Sequence, residues 1–508
     1  MRRPSLFIGL AMIVLSLVGC ATSAIEMAPE QPDRPWVPAT SATGELVPGA
    51  PPQAEPQDGK GHVLPSNSEL ASLPSPLALD LAHIYSLAEL IDIAQTNNPL
   101  TRTAWNHARE VALAAGIAQS TYLPRLTAAA IGGYQISQIA GPLGTTTTDQ
   151  LHGTISLLSF DWLLFDFGQR AALVEAANQL SLISNITFTA AHQKLIYDVS
   201  AAFYTDAAAR ARVGNAVQSL KNATEVESAA EDRMKRGVGT TVEVAQARQA
   251  EAQARLVKIQ AEGAAQNAYL GLLSAMGISP LTQIKVADVS NRKLSPAMAG
   301  SVEKIIADAL ARRPDVLAAY AAQKAALANV QAAQAEFLPK FFLSGTGSYN
   351  NGTLNVTGIP AIGNLPLTTN LSGHNFGGVV FGGVAMPVFD GGSRAAILEQ
   401  AQSKADDAGL ALMRTRDEAV REIVLANNAL RTSLSAYQAA TSVMSAAQTT
   451  FNAALAAYHN GVGSITDVTM AETQLLQARN AATDAYSTAL SAAAAVALAT
   501  GSLGAPLQ

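Results

Sequence analysis

The stretch Tyr458-His459-Asn460-Gly461-Val462-Gly463-Ser464-Ile465-Thr466-Asp467-Val468-Thr469-Met470-Ala471 decides the fold, because it has an earlier counterpart. That counterpart reads Lys235-Arg236-Gly237-Val238-Gly239-Thr240-Thr241-Val242-Glu243-Val244-Ala245-Gln246-Ala247. Gly237 and Gly461 stand 224 residues apart, as do Gly239 and Gly463, Val244 and Val468, and Ala247 and Ala471. The Gln253-Ala254-Arg255 and Gln477-Ala478-Arg479 triplets keep the same offset. Ala-, Gln-, Glu- and Arg-rich sequence flanks both copies and favours helix. No proline occurs from Gln169 to Ile278 or from Val388 to Ala505. Two glycines close together between two helical runs break the helix and turn it back, which predicts an αα-hairpin at each copy.

The duplication extends beyond the hairpins. Ser86-Leu87-Ala88-Glu89 has the capping-box pattern of a helix start. Asn97-Asn98-Pro99 stops that helix and starts another, which Leu123-Pro124 ends. Arg313-Pro314 and Leu338-Pro339 repeat this logic. Pro99 and Pro314, Pro124 and Pro339, and Tyr134 and Tyr349 are each 215 apart. The offset has grown to 224 at Phe165-Asp166 and Phe389-Asp390, so nine residues (224 − 215) separate the two spacings. Prolines and glycines kept in step over this distance mark an internal repeat.

Between the short helices and the hairpin, each half carries two segments rich in Thr, Gly, Ser, Phe, Val, Ile and Tyr. They span 126–140 with 151–165, and 340–356 with 373–389, and read as β-hairpins. Ile155 and Leu157 share one face of their strand, and Leu158, Phe160 and Trp162 the other. Gly168 to Lys235 forms one helix of about 100 Å at 1.5 Å per residue, too long to bury itself on a small domain. Pairs seven apart, such as Leu173 and Leu180, Ile196 and Phe203, and Val213 and Leu220, predict coiled-coil-like packing against partners of equal length. The returning helices run over 241–277 and 465–500 and end near Gly277 and Gly501. Asp166 and Asp390 open the long helices as N-terminal caps.

The N-terminus reads as an export signal, with Arg2 and Arg3 before an apolar run from Leu6 to Val18. That run is too short to span a bilayer core of about 30 Å as a helix. Cys20 is the only cysteine, which excludes an intramolecular disulfide and a cysteine-based zinc site. Residues 21–80 contain 11 of the 23 prolines and read as an extended tether. A net charge of -6 gives no basic field for nucleic acid. The seven histidines are scattered, no nucleophile motif occurs, and Gly377-Gly378 and Gly382-Gly383 lack the following helix of a phosphate loop. No metal, cofactor or enzymatic activity is expected.

Taken together, these pieces resemble the TolC-type outer-membrane efflux and secretion channel family over residues 85–503. Leu17-Val18-Gly19-Cys20 is similar to a bacterial lipobox, implying cleavage before Cys20 and its acylation. Ala21 fits outer-membrane sorting. The resemblance implies a mainly α fold with a β-barrel part. Each chain would contribute duplicated long helical hairpins and two β-hairpins, and a trimer would form a 12-stranded barrel above an α-helical barrel. The expected organisation is a signal peptide (1–19), lipidated Cys20 with a Pro-rich linker (20–84), a first repeat (85–277), a connection near the middle of the helices (278–300), a second repeat (301–503) and a tail (504–508).

The family closes its periplasmic entrance through links between helical hairpins. The matching positions here are Tyr458 and Glu243 for one link and Asp467 for a pore-lining carboxylate. A hydroxyl–carboxylate bond contributes about 1.5–3 kcal/mol, enough in three copies to hold a trimer shut yet openable. Gly463 stands where the family can carry a bracing arginine, and Met470 where a second acidic residue can occur. The turns Gly237, Val238, Gly239, Thr240 and Gly461, Val462, Gly463, Ser464 form the expected contact for a periplasmic adaptor protein, which joins the channel to an inner-membrane pump. The implied function is a passive exit duct in the outer membrane, projecting into the periplasm. A protein-secretion channel and a non-conducting envelope lipoprotein are the alternatives.

Overall fold

The computed structural model describes residues 77–140, 146–289, 294, 302–352, 355–357, 368–370 and 375–504, with scattered positions before residue 77. Cys20 and its lipobox lie outside the described residues, as do 290–293 and 295–300 of the connection and 505–508 of the tail. The chain divides into two units, Met1–Leu77 and Ala78–Gln508. In the first, β1 (Ala39–Thr40) pairs antiparallel with β2 (Leu46–Val47). Ser41 N–H donates to the Glu45 carbonyl at 2.8 Å across their turn.

The second unit begins with β3 (Ile84–Tyr85) and α1 (Leu87–Asn97). Ser86 and Glu89 close the capping box at the start of α1, with each side chain bonding the other's backbone N–H. Asn98 then caps α2 (Pro99–Ser120) through its side-chain oxygen, and Pro99 occupies the first turn, where no N–H is needed. The strands β4 (Arg125–Ala140) and β5 (Thr146–Phe165) form an antiparallel hairpin that leads into α3 (Gln169–Lys235) and α4 (Thr241–Met276).

After β6 (Lys285–Val286), which pairs parallel with β3, the order repeats. It runs α5 (Val302–Leu310), α6 (Pro314–Ala335), β7 (Lys340–Gly352), β8 (Asn355–Thr357), β9 (Thr368–Asn370), β10 (Asn375–Ala385), α7 (Ser393–His459) and α8 (Ile465–Ala499). The long helices α3 and α7 each have 67 residues, about 100 Å.

The four long strands form one antiparallel sheet in the order β10-β7-β5-β4, so the two hairpins lie side by side with β5 against β7. Within the chain β4 and β10 are edges. The strand expected to run to residue 389 ends at Ala385, because Pro387 has no N–H to add to a ladder. Met386, Val388 and Phe389 are left as exposed apolar residues after it.

Asp166 and Asp390 act just outside the cap position, which is held by Gly168 (φ 95°) and Gly392 (φ 87°). Asp166 accepts from the Gly168 N–H at 3.3 Å and the Arg170 N–H at 2.9 Å. Asp390 does the same with Gly392 and Arg394.

The helices pack through buried cores at separate levels along their length. In the middle, Leu195, Val199, Phe203 and Tyr204 of α3 meet Leu90 of α1, Leu272 and Met276 of α4, and Leu490 of α8. The segment after α4 is fastened there: Arg210 donates to the carbonyls of Val286 (3.2 Å) and Ala287 (3.0 Å), and the Tyr486 hydroxyl donates to that of Val289 (2.6 Å). Far from the sheet, at the hairpin turns, a second core joins all four long helices. It contains Val226 and Ala230, Val244 and Ala247, Phe451 and Tyr458, and Ile465, Val468, Ala471 and Leu475.

Candidate functional site at the hairpin tips

Both turns are built alike. At the end of α3 the Val238 N–H donates to the Arg233 carbonyl (3.0 Å) and the Gly237 N–H to that of Met234 (3.0 Å). The end of α7 repeats this with Val462 to Ala457 and Gly461 to Tyr458. These paired bonds satisfy carbonyls that a helix end leaves free, and they require a left-handed residue, met by Gly237 (φ 75°) and Gly461 (φ 79°). The second glycine of each pair answers to space. A Cβ on Gly239 would lie 2.8 Å from the Met234 nitrogen, and one on Gly463 would lie 3.0 Å from the Ala457 Cβ. The apices Val238 and Val462 stay exposed, Val462 at 83%.

The repeat diverges at the first turn of the returning helices. Glu243 and Asp467 occupy equivalent positions, 224 apart, behind the equivalent caps Thr240 and Ser464. Asp467 completes a capping box: its carboxylate accepts from the Ser464 hydroxyl (2.7 Å) and N–H (3.3 Å), while its own N–H donates to Ser464 Oγ (3.1 Å). The carboxylate expected to line the pore is thus engaged in capping α8, at an exposed position. Glu243 gives its N–H to the Thr240 hydroxyl (3.2 Å), but its half-buried carboxylate turns away toward Arg233 and Tyr458.

Tyr458 is fully buried, and its phenol sits close enough to Glu243 to feel that charge. Burial foremost, and then the Glu243 carboxylate, push the Tyr458 phenol above its ordinary value, so the hydroxyl keeps its proton throughout the physiological range. The hydroxyl–carboxylate link expected from the sequence is a near contact in the single chain, with the Tyr458 hydroxyl within interaction range of Glu243 and Arg233 but short of good hydrogen-bond geometry. Tyr458 Oη, Glu243 Oε2 and Arg233 Nε are each buried without a hydrogen-bond partner among the described residues.

Arg233 is the member of this group that the sequence reading missed. Its Nη1 donates to the Tyr458 carbonyl (3.2 Å), its Nη2 to the Val238 carbonyl (3.4 Å), and Nε lies 4.0 Å from Glu243 Oε2. The guanidinium stacks over the Tyr458 ring at 5.0 Å. Four residues before Gly237, in the last turn of α3, it had a local signal as a cation at a helix C-terminus. Nothing local pairs it with a residue 225 positions later.

A family model described as outer membrane efflux protein matches residues 90–278 and 305–502. The chain is 27% identical over 415 residues to protein CyaE of Bordetella pertussis, covering 80% of this chain and 82% of that one. It is 25% identical over 466 residues to outer membrane protein OprJ of Pseudomonas aeruginosa, covering 91% and 88%. The crystal structure of the outer membrane protein VceC from Vibrio cholerae has the same fold, with a TM-score of 0.67 at 22% identity over 82% of this chain and 96% of that one.

Proposed function

The chain belongs to the outer membrane efflux protein family, and on that premise we propose that three copies form the exit duct of a tripartite efflux system. It is an outer-membrane channel whose helices project into the periplasm. The observation that carries the assembly is the open four-stranded sheet. Four strands are too few to close a barrel, and free edges at β4 and β10 would leave backbone groups unpaired in lipid. Pairing β10 of one copy with β4 of the next removes every edge, and three copies, the number the family resemblance implies, give twelve strands. Exposed apolar side chains such as Leu126, Leu158, Phe376 and Val380 then have a hydrocarbon phase to face.

The helices support the same ring. The repeat-equivalent helices α2 and α6 are used differently within one chain. α6 packs against both α3 and α7, whereas α2 has α3 as its long helical partner among the described residues. Leu100, Trp105, Leu113 and Ile117 of α2 remain exposed and would be covered by a neighbouring copy's long helix. A head-to-tail contact of this kind closes on itself as a ring. On the same reading, Cys20 carries the lipid anchor. Tyr458 and Glu243 form the latch of the entrance, and the two turns 237–240 and 461–464 receive the adaptor that couples the duct to an inner-membrane pump.

The alternative of a tethered spacer makes an opposite prediction for the anchor. The Cys20→Ala variant is expected to stay membrane-embedded, to need detergent for extraction, and to cross-link as a trimer. A Cys20→Ala protein that leaves the membrane as a soluble monomer would contradict the barrel.

A further inference from the structure

We propose that Arg233 is the positioning residue of the latch, fastening the two hairpin tips of each chain into one four-helix body. The inference rests on the reading of the tip as the entrance. One guanidinium spans three backbone or side-chain sites on different elements: the carbonyl that ends α7, the carbonyl in its own turn, and the carboxylate at the start of α4. Its side chain is only 15% exposed, so these contacts form largely out of water, where a planar fork with fixed donors is worth most. It sits over the Tyr458 ring, 5.0 Å from its centroid, and Tyr458 is the largest fully buried side chain among the described residues, so the guanidinium helps to fix the ring that seals the tip core.

The geometry leaves the latch poised rather than locked. Arg233 Nε and Glu243 Oε2 face each other at 4.0 Å, beyond hydrogen-bonding distance, and both atoms are buried and unpartnered, as is the Tyr458 hydroxyl. Small movements of Arg233 therefore decide which of the three groups pair. The internal repeat supplies a control within the sequence. The positions equivalent to Arg233, Tyr458 and Glu243 are Ala457, Met234 and Asp467, and no guanidinium stands at any of them. Each chain thus carries one such clamp, and it joins the chain's own two hairpins.

Spin labels on Val238→Cys and Val462→Cys, the exposed apices of the two turns, read the distance between the tips. Labelled chains are diluted in unlabelled ones so that pairs within a chain dominate, and the wild-type chain labelled in parallel reports reaction at Cys20. With Arg233 intact the expected distribution is single and narrow. Arg233→Ala is expected to widen it while channel conductance rises several-fold. Arg233→Lys keeps a charge beside Glu243 but cannot reach two carbonyls in a fixed fork, and is expected to fall between. A narrow distribution unchanged by Arg233→Ala would overturn the clamp. A widened distribution with unchanged conductance keeps the clamp but removes the entrance from the tips.

Discussion

Replacing Arg170 with alanine is expected to destabilise the chain by about 3–5 kcal/mol, the cost of leaving a buried charge without its partner. Arg170 and Asp166 are 8% and 5% exposed, at the joint where β5 becomes α3. The guanidinium donates to Asp166 Oδ2 (2.8 Å) and to the carbonyls of Thr121 (3.0 Å), Leu163 (2.6 Å) and Leu164 (3.2 Å), and it stacks on Tyr122. One side chain therefore holds the end of the short helix, the end of the strand and the start of the long helix. The repeat-equivalent Arg394 bonds Asp390 at 2.7 Å and stacks on Phe337, with its carboxylate partner more exposed. Among the described residues Arg394 has no bond to a strand carbonyl, as β10 stops at Ala385, and Arg394→Ala is expected to cost clearly less than Arg170→Ala in the isolated chain. Urea unfolding of the purified variants in detergent measures both, and equal losses would contradict the difference between the joints.

At the other end of the helices, Tyr458→Ala is expected to cost about 3–5 kcal/mol, as large aromatic truncations in packed cores do. The ring belongs to the same buried core as Val226, Val244, Phe451 and Val468 and carries Arg233 over its face. Tyr458→Phe keeps the ring and removes a hydroxyl that makes no hydrogen bond of good geometry among the described residues, so its stability is expected to stay within about 0.5 kcal/mol of the parent. Hydrogen exchange at the tip resolves the two. The alanine variant should lose protection at residues 226–247 and 451–475, and the phenylalanine variant should not. A phenylalanine variant as damaged as the alanine one would mean that the hydroxyl is bonded after all.

The parts of this fold legible in the sequence are those where one residue dictates its own backbone. Pro99 and Pro314 mark first helical turns because proline suits no later one, and Gly237 and Gly461 mark hairpin turns because only glycine takes the left-handed angle without cost. The end of β10 was equally readable at Pro387. Asp467 carries two compatible meanings, a cap for its own helix and a carboxylate at an exposed position. Ser464-Ile465-Thr466-Asp467 carries the same capping pattern as Ser86-Leu87-Ala88-Glu89, and the structure uses it that way. Glu243, behind Thr240, carries that pattern too, yet its carboxylate leaves the cap for Arg233. That choice is tertiary, set by a guanidinium that Asp467 has no counterpart to, so no window of sequence around either acid reveals it. The Arg233 contact with Tyr458 was hidden for the same reason. It depends on two hairpins docking side by side, which the repeat implies without fixing which side chains meet.

Because Tyr458→Phe is expected to leave the fold intact, it can be combined with Glu243→Gln to test the duct itself. The decisive measurement is single-channel conductance of the purified protein in a planar bilayer, wild type beside the Tyr458→Phe and Glu243→Gln double variant. The expected result is a small conductance in the wild type that rises several-fold in the double variant, because Glu243→Gln removes the carboxylate that faces Arg233 at 4.0 Å and so loosens the guanidinium that bonds the Tyr458 carbonyl. No conductance from either protein, in preparations shown to be folded and inserted, would contradict the conduit.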